Sequence, residues 1–170
     1  NNIQDNGELN FMGAKITEAN TGKNIFSQAN GFYSFLTFDS GSFVVSAANS
    51  LNFFASYPIN RTVSFNGFHQ KDSLQNFAFQ PIIIFDDLFI SAHPLSPFRS
   101  GFNAIYNIHY KNVGTTLISP TIYFYNHPKV DFVSASIAPN NVYADSVIWN
   151  LAPLNPFEEG DITLTIYVHQ

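Results

Sequence analysis

The sequence predicts an all-β protein made of two serial β-sandwich modules, the first over residues 1–81 and the second over residues 82–170. Short runs of alternating apolar and polar residues recur along the chain, with turn residues at intervals of about 8–12, which is typical of all-β domains. No window combines a 3.6-residue apolar period with helix caps. The pattern changes around Pro81, and 170 residues allow two small domains that each bury a modest core.

Seven strands are predicted in the first module. Their ranges are 12–18, 24–28, 32–38, 42–48, 51–57, 61–66 and 74–79. The segments between them, such as Asn30-Gly31 and Asn66-Gly67, contain residues that tolerate the positive φ of tight turns. Each turn therefore fits between two antiparallel strands.

Six strands are predicted in the second module, and their alternation is clearer. Their ranges are 88–92, 102–111, 121–126, 130–137, 146–151 and 162–169. Successive side chains of a strand point to opposite faces, so alternate apolar residues mark the buried face. The predicted core side chains are Phe102, Ala104, Tyr106, Ile108, Tyr110, Ile162, Leu164, Ile166 and Val168, with Trp149 at the centre.

Composition excludes several classes of function. The formal net charge of −5 supplies neither the basic field that binds a nucleic-acid backbone nor a cationic face for an anionic membrane. The chain has no cysteine, which rules out disulfides, a thiol nucleophile and a thiolate metal site. No apolar run approaches the roughly 20 residues that cross a bilayer. We therefore expect neither nucleic acid nor inserted membrane as a partner.

The first eight residues, NNIQDNGE, match the later part of a calcium loop. An EF-hand-like loop of about 12 positions takes oxygen ligands at alternate positions and ends on a bidentate Glu. With Glu8 as that last ligand, Asp5, the carbonyl of Ile3 and Asn1 fall at earlier ligand positions. The same residues also fit a plain polar turn before the first strand.

This loop and the residues after it resemble the B-type, prealbumin-like repeats of serine–aspartate repeat (Cna-B-like) surface proteins. The resemblance continues through 9–16 (LNFMGAKI), 27–35 (SQANGFYSF) and the start of the strand at 41–45, about half of the chain. It implies a bound calcium ion held by Asn1, Ile3, Asp5 and Glu8. Asn2 stands where the family has Gly.

The second half resembles the Ig-like conserved-repeat domain of Bacteroidota-type secreted surface proteins. The matching segments are 98–102 (FRSGF), 106–115 (YNIHYKNVGT), 147–151 (VIWNL) and 154–157 (LNPF). The resemblance implies an Ig-like β-sandwich that stands in series with neighbouring domains of the same polypeptide.

The five histidines show no catalytic or zinc-binding spacing. Such a site needs two or three of them to converge with a carboxylate in reach. The histidines are at 69, 93, 109, 127 and 169; alternation places His109 and His169 on solvent faces, and His93 and His127 precede prolines in predicted turns. We therefore predict no catalytic residues and no enzyme activity.

Two further groups of residues are candidates for chemistry. Asp86 and Asp87 lie where the modules meet, so they could bind a junction calcium or form a polar turn. Ser73 and Ser146 lie in Asp-Ser-aliphatic tripeptides, which resemble the O-glycosylation signal of Bacteroidota exported proteins. An ordinary turn-to-strand junction explains both tripeptides equally.

Together these features predict a non-catalytic structural or adhesive segment of a secreted, multidomain bacterial cell-surface protein. Its expected partners are neighbouring domains, surface glycans and other surface proteins. The alternative is a carbohydrate-binding or accessory module of a secreted hydrolase, because the sequence has more aromatics than two small cores can bury. Those expected at the surface are Tyr33, Phe53, Phe54, Phe89, Tyr123, Tyr125, Tyr143 and Tyr167.

Overall fold

The computed structural model describes residues 10–48, 53–73 and 75–170, and it confirms the all-β prediction. The described residues form no helix, and hence none that could cross a lipid bilayer. The chain divides into two compact units, Asn1–Ile83 (unit 1) and Ile84–Gln170 (unit 2). The predicted module boundary lies between residues 81 and 82, two residues before the boundary of the units. The prealbumin-like and Ig-like identities of the modules remain predictions.

Unit 1 contains six described strands in two antiparallel sheets. The strands are β1 (Lys15–Glu18), β2 (Asn24–Phe26), β3 (Gly41–Ala48), β4 (Phe54–Tyr57), β5 (Asn60–Phe65) and β6 (Ala78–Pro81). The sheet orders are β2-β1-β3-β5 and β4-β6.

The core of unit 1 is built from small aliphatic residues ringed by aromatics. Ala14, Ile16, Val45 and Ala47 are its buried centre. The side chains packed against that centre are Phe11, Ile25, Tyr33, Phe35, Phe77 and Phe79. Because Phe79 belongs to β6, this core joins the two sheets.

The predicted strand at 32–38 does not form. Tyr33 and Phe35 pack on the core while Phe32 and Leu36 stay exposed, so the alternation is real. The segment nevertheless makes no strand ladder, and the Tyr33 hydroxyl donates a hydrogen bond to the Gln75 carbonyl. The alternation of apolar and polar residues indicates which side chains are buried. A strand also needs a neighbouring segment whose backbone forms hydrogen bonds with its own.

Unit 2 contains seven strands in two antiparallel sheets. They are β7 (Leu88–Pro94), β8 (Asn103–Asn112), β9 (Thr121–Tyr125), β10 (Val130–Ala135), β11 (Asn141–Val142), β12 (Ser146–Asn150) and β13 (Glu159–Val168). The sheet orders are β10-β13-β8-β7 and β11-β12-β9. An immunoglobulin constant domain also has sheets of four and three strands, but there the second strand pairs with the fifth. In unit 2 the second strand, β8, pairs with the last, β13.

The inner faces of the two sheets share one core around Trp149, which is 1% exposed. The Trp149 ring meets Phe132 of the opposite sheet edge-on, with ring centroids 6.4 Å apart. Its indole N–H donates to the Ile137 carbonyl over 2.9 Å. The prediction that Ile162, Leu164, Ile166 and Val168 face the core is confirmed, since all four are buried.

Phe102 and the start of the last strand differ from the sequence prediction. Phe102 is 65% exposed rather than buried, because it precedes β8 and follows Gly101, whose φ of 81° breaks the strand alternation. The last strand begins at Glu159, three residues earlier than expected. Gly160 therefore lies inside β13 opposite Tyr110, where a Cβ would come within 2.4 Å of the tyrosine oxygen. Because glycine has no Cβ, the buried Tyr110 side chain can lie against the backbone of β13 at this position.

Trp149→Ala should destabilise unit 2 by about 3–5 kcal/mol, as deletion of a large buried aromatic does. Thermal and denaturant unfolding, followed by circular dichroism, measure this loss. Trp149→Phe is the matched variant: it retains part of the packing and should lose less stability. An unchanged midpoint for Trp149→Ala would show that the indole is not at the core.

Tyr33→Phe should remove a late phase of tyrosine ionisation. Burial raises the pKa of Tyr33 to about 12. The folded state therefore favours the protonated phenol of Tyr33, and this preference stabilises the fold. The stabilisation is complete below the unfolded pKa near 10 and is lost as the pH rises through about 12. Phenolate absorbance against pH measures the phase. Burial also raises the pKa of Tyr110, so Tyr110→Phe is the comparison that assigns each late component.

Candidate functional site

The predicted calcium loop cannot be located in the fold. Its four ligands, Asn1, Ile3, Asp5 and Glu8, lie outside the described residues. Calcium binding there stays a prediction of the sequence.

Asp86 and Asp87 stabilise the segment that leads into β7. The Asp86 carboxylate accepts a hydrogen bond from the Thr116 hydroxyl. The Asp87 carbonyl accepts from the N–H groups of Val113 and Gly114, over 3.0 and 3.2 Å. Within residues 10–48, 53–73 and 75–170, no three His, Asp or Glu side chains cluster so that they could hold a metal ion. Both aspartates are thus hydrogen-bonded to the segment after β8, and a calcium ion at this pair stays a prediction of the sequence.

The two predicted glycosylation serines differ in access. Ser73 is exposed. Ser146 is 8% exposed at the start of β12, and its hydroxyl donates to Asp145 over 3.0 Å. A glycosyltransferase needs an accessible hydroxyl, so the fold disfavours Ser146, whereas modification of Ser73 stays a prediction.

A band of charged and polar side chains lies across the outer face of the larger unit 2 sheet. We call Asn107, His109 and Lys111 of β8, with Glu159 and Asp161 of β13, the polar band. The Asn107 amide donates to Asp161 over 2.6 Å, and His109 Nδ1 lies 3.2 Å from the same carboxylate oxygen. Lys111 and Glu159 form an ion pair at 2.6 Å.

The polar band lowers the pKa of both its carboxyl groups. For Asp161 the largest cause is the hydrogen bond from Asn107, and the His109 contact acts in the same direction. For Glu159 the largest cause is the hydrogen bond from Lys111. All these groups are partly exposed, so water screens the interactions. The band has the character of a solvated, ion-paired surface.

A second histidine has a similar partner. His169 Nε2 lies 2.6 Å from Asp131 Oδ2. The predicted solvent faces of His109 and His169 agree with their partly exposed side chains, but their aspartate partners were not foreseen. Each partner comes from another strand of the sheet, and alternation within a strand does not reveal which residues face each other across strands.

A pair of tyrosines forms the most distinctive feature of the smaller unit 2 sheet. Tyr123 and Tyr125 of β9 are 54% and 72% exposed, with ring centroids 6.2 Å apart and ring planes within 12° of parallel. The intervening and preceding residues, Phe124 and Ile122, face the core. Four of the eight aromatics expected at the surface, Phe89, Tyr123, Tyr125 and Tyr143, are about half exposed or more.

Uncharged residues of β12 lie opposite the tyrosine pair on this outer face. Across the β9–β12 ladder, Tyr125 lies opposite Ser146, Tyr123 opposite Ile148 and Thr121 opposite Asn150. The Thr121 hydroxyl donates to Asn150 Oδ1 over 3.0 Å. We call Thr121, Tyr123, Tyr125, Ile148 and Asn150 the tyrosine platform.

Comparison with protein-family models, curated proteins and solved structures finds no match to this chain.

Asp161→Asn should lower the stability of unit 2 slightly near neutral pH and leave it unchanged in strong acid. Because the folded-state pKa of Asp161 is lowered, its carboxylate stabilises the fold fully above the unfolded pKa near 3.9, and this stabilisation is lost as the pH falls through the folded value. Urea unfolding of both proteins across this range measures the difference. Asp39→Asn, an exposed carboxyl in unit 1, is the control. A difference between Asp161→Asn and the parent that persists in strong acid would contradict the linkage.

Proposed function

We propose that this chain is a non-catalytic, load-bearing and adhesive segment of a secreted, multidomain bacterial cell-surface protein. The observation that carries the proposal is the direction of the first and last strands of unit 2. The motif resemblances of both halves to surface-protein modules support the extracellular setting. Neighbouring domains of the same polypeptide are the expected structural partners.

The first strand of unit 2 starts at one end of the larger sheet, and the last strand finishes at the other. Leu88, where β7 starts, pairs with Asn112 at the end of β8. Tyr167, near the end of β13, pairs with Asn103 at the start of β8. Ten residues of β8 span roughly 30 Å. A unit with this arrangement extends an array when it is linked in series.

Tension applied to those two ends would load the sheet in shear. β7 and β13 run in the same direction on either side of β8, and both pair with it antiparallel. Antiparallel hydrogen bonds lie perpendicular to the strands. A pull along the strands therefore loads all hydrogen bonds of the ladder at the same time. The force is divided among these bonds, so the ladder resists a higher force before it breaks.

Additional hydrogen bonds extend this ladder at the start of β7. Besides the two bonds to the Asp87 carbonyl, the N–H of Thr115 donates to the Phe85 carbonyl over 3.0 Å, and the Thr115 hydroxyl accepts from the Phe85 N–H over 3.0 Å. Gly114 allows this close approach, since a Cβ there would lie 2.6 Å from the Asp87 nitrogen. The segment before β7 is thereby held where tension would reach it first.

Single-molecule pulling should show that the direction of force determines the strength of unit 2. The chain has no native cysteine, so each introduced cysteine is a unique attachment point. Each variant carries two of them, one at the tested position and one at the C-terminus. Pulling the full chain between Ile84→Cys and residue 170 shears β7 and β13 against β8. Pulling between Pro97→Cys and residue 170 loads the β8–β13 ladder at one end and peels β13 off β8 one bond at a time. We expect a higher unfolding force in the first geometry.

Gly114→Ala provides the matched test of the ladder extension. It should lower the shear force more than the peeling force, because the added methyl group separates the segment 85–87 from Gly114. Equal forces in the two geometries for the parent protein would overturn the load-bearing proposal.

A further inference from the structure

We propose that the tyrosine platform binds a neutral polysaccharide through the faces of its two aromatic rings. This inference deepens the adhesive part of the proposed function, and it matches the carbohydrate-binding alternative that the sequence left open. It depends on the smaller sheet of unit 2, whereas the load-bearing proposal depends on the larger one.

The core does not need the two tyrosines. Ile122 and Phe124 already supply the inward face of β9, and Val147 and Trp149 opposite them are buried. Tyr123 and Tyr125 therefore place two large rings on a face that the unit itself leaves to solvent. Tyrosine offers a rigid, amphipathic contact surface at a low cost in conformational entropy.

The geometry of the rings suits an extended ligand with one apolar face. The rings form a stacked pair, with centroids 6.2 Å apart and planes within 12° of parallel, so the ring faces that the pair leaves to solvent share one orientation toward a ligand. The C–H faces of sugar rings are apolar while their edges carry hydroxyl groups. Exposed Asn150 adds a polar group beside the rings: its Oδ1 accepts from Thr121, and its amide nitrogen remains a donor for a hydroxyl.

Charge favours a neutral glycan over other flat ligands. The platform residues of β9 and β12 include no Lys, Arg, Asp or Glu. Stacked bases would fit the rings, but a nucleic acid also needs cations for its phosphates, and the chain has a net charge of −5. An acidic polysaccharide has the same requirement.

Affinity electrophoresis of the full chain tests the proposal. The probes are neutral polysaccharides of different linkage (hydroxyethylcellulose, laminarin, mannan and soluble starch), with alginate and single-stranded poly(dT) as charged comparisons. We expect at least one neutral polymer to retard the chain. Tyr123→Ala and Tyr125→Ala should each weaken that binding by about tenfold, the size of one lost stacking contact, while Tyr123→Phe stays close to the parent.

Tyr167→Ala is the matched control, because Tyr167 is also an exposed strand tyrosine but belongs to the larger sheet. It should leave retardation unchanged, and thermal melting should show that every variant is folded. Retardation by no neutral polymer, equal loss in Tyr167→Ala, or binding confined to poly(dT) or alginate would overturn the proposal. The pulling experiment separates this result from the load-bearing role, since Tyr123→Ala lies outside the sheared strands.

Discussion

A fully buried asparagine at the end of β8 is the constraint on which the architecture of unit 2 depends. The Asn112 amide donates to the carbonyls of Thr116 and Leu154 over 2.7 and 2.9 Å, and its Oδ1 accepts from the Gly114 N–H over 3.0 Å. Its backbone N–H also donates to the Glu158 carbonyl. A buried polar group left without partners costs about 1–3 kcal/mol, so this set of bonds fixes how residues 112–116 cross residues 154–158.

That crossing determines what the two faces of the sandwich can do. With the end of β8 anchored, β7 and β13 pair along its two edges. This pairing aligns the polar band across the larger sheet and gives the first and last strands a common direction. The smaller sheet contains neither the first nor the last strand of unit 2, and its outer face carries the tyrosine platform. The proposed mechanical and adhesive roles therefore lie on different sheets of one unit.

The sequence predicted the all-β class and those features of the fold that depend on neighbouring residues of one strand. The buried face of β13 and the central position of Trp149 followed from alternation alone. The failures occurred where pairing between segments decides the outcome. Tyr33 and Phe35 alternate like strand residues but have no strand paired with them, and Gly160, which precedes the predicted last strand, lies inside β13 opposite Tyr110. The two-residue strand β11 is too short to produce a pattern.

The candidate sites divide in the same way. Sequence by itself determined the all-β class, the absence of thiol chemistry and the surplus of aromatic side chains, because these follow from composition and local periodicity. Only the tertiary structure decided that His109 meets Asp161, and that the rings of Tyr123 and Tyr125 are parallel and lie opposite uncharged residues of β12. The physical reason is register: a strand sequence says which side chains share a face, but its hydrogen-bonded neighbours determine which of them meet.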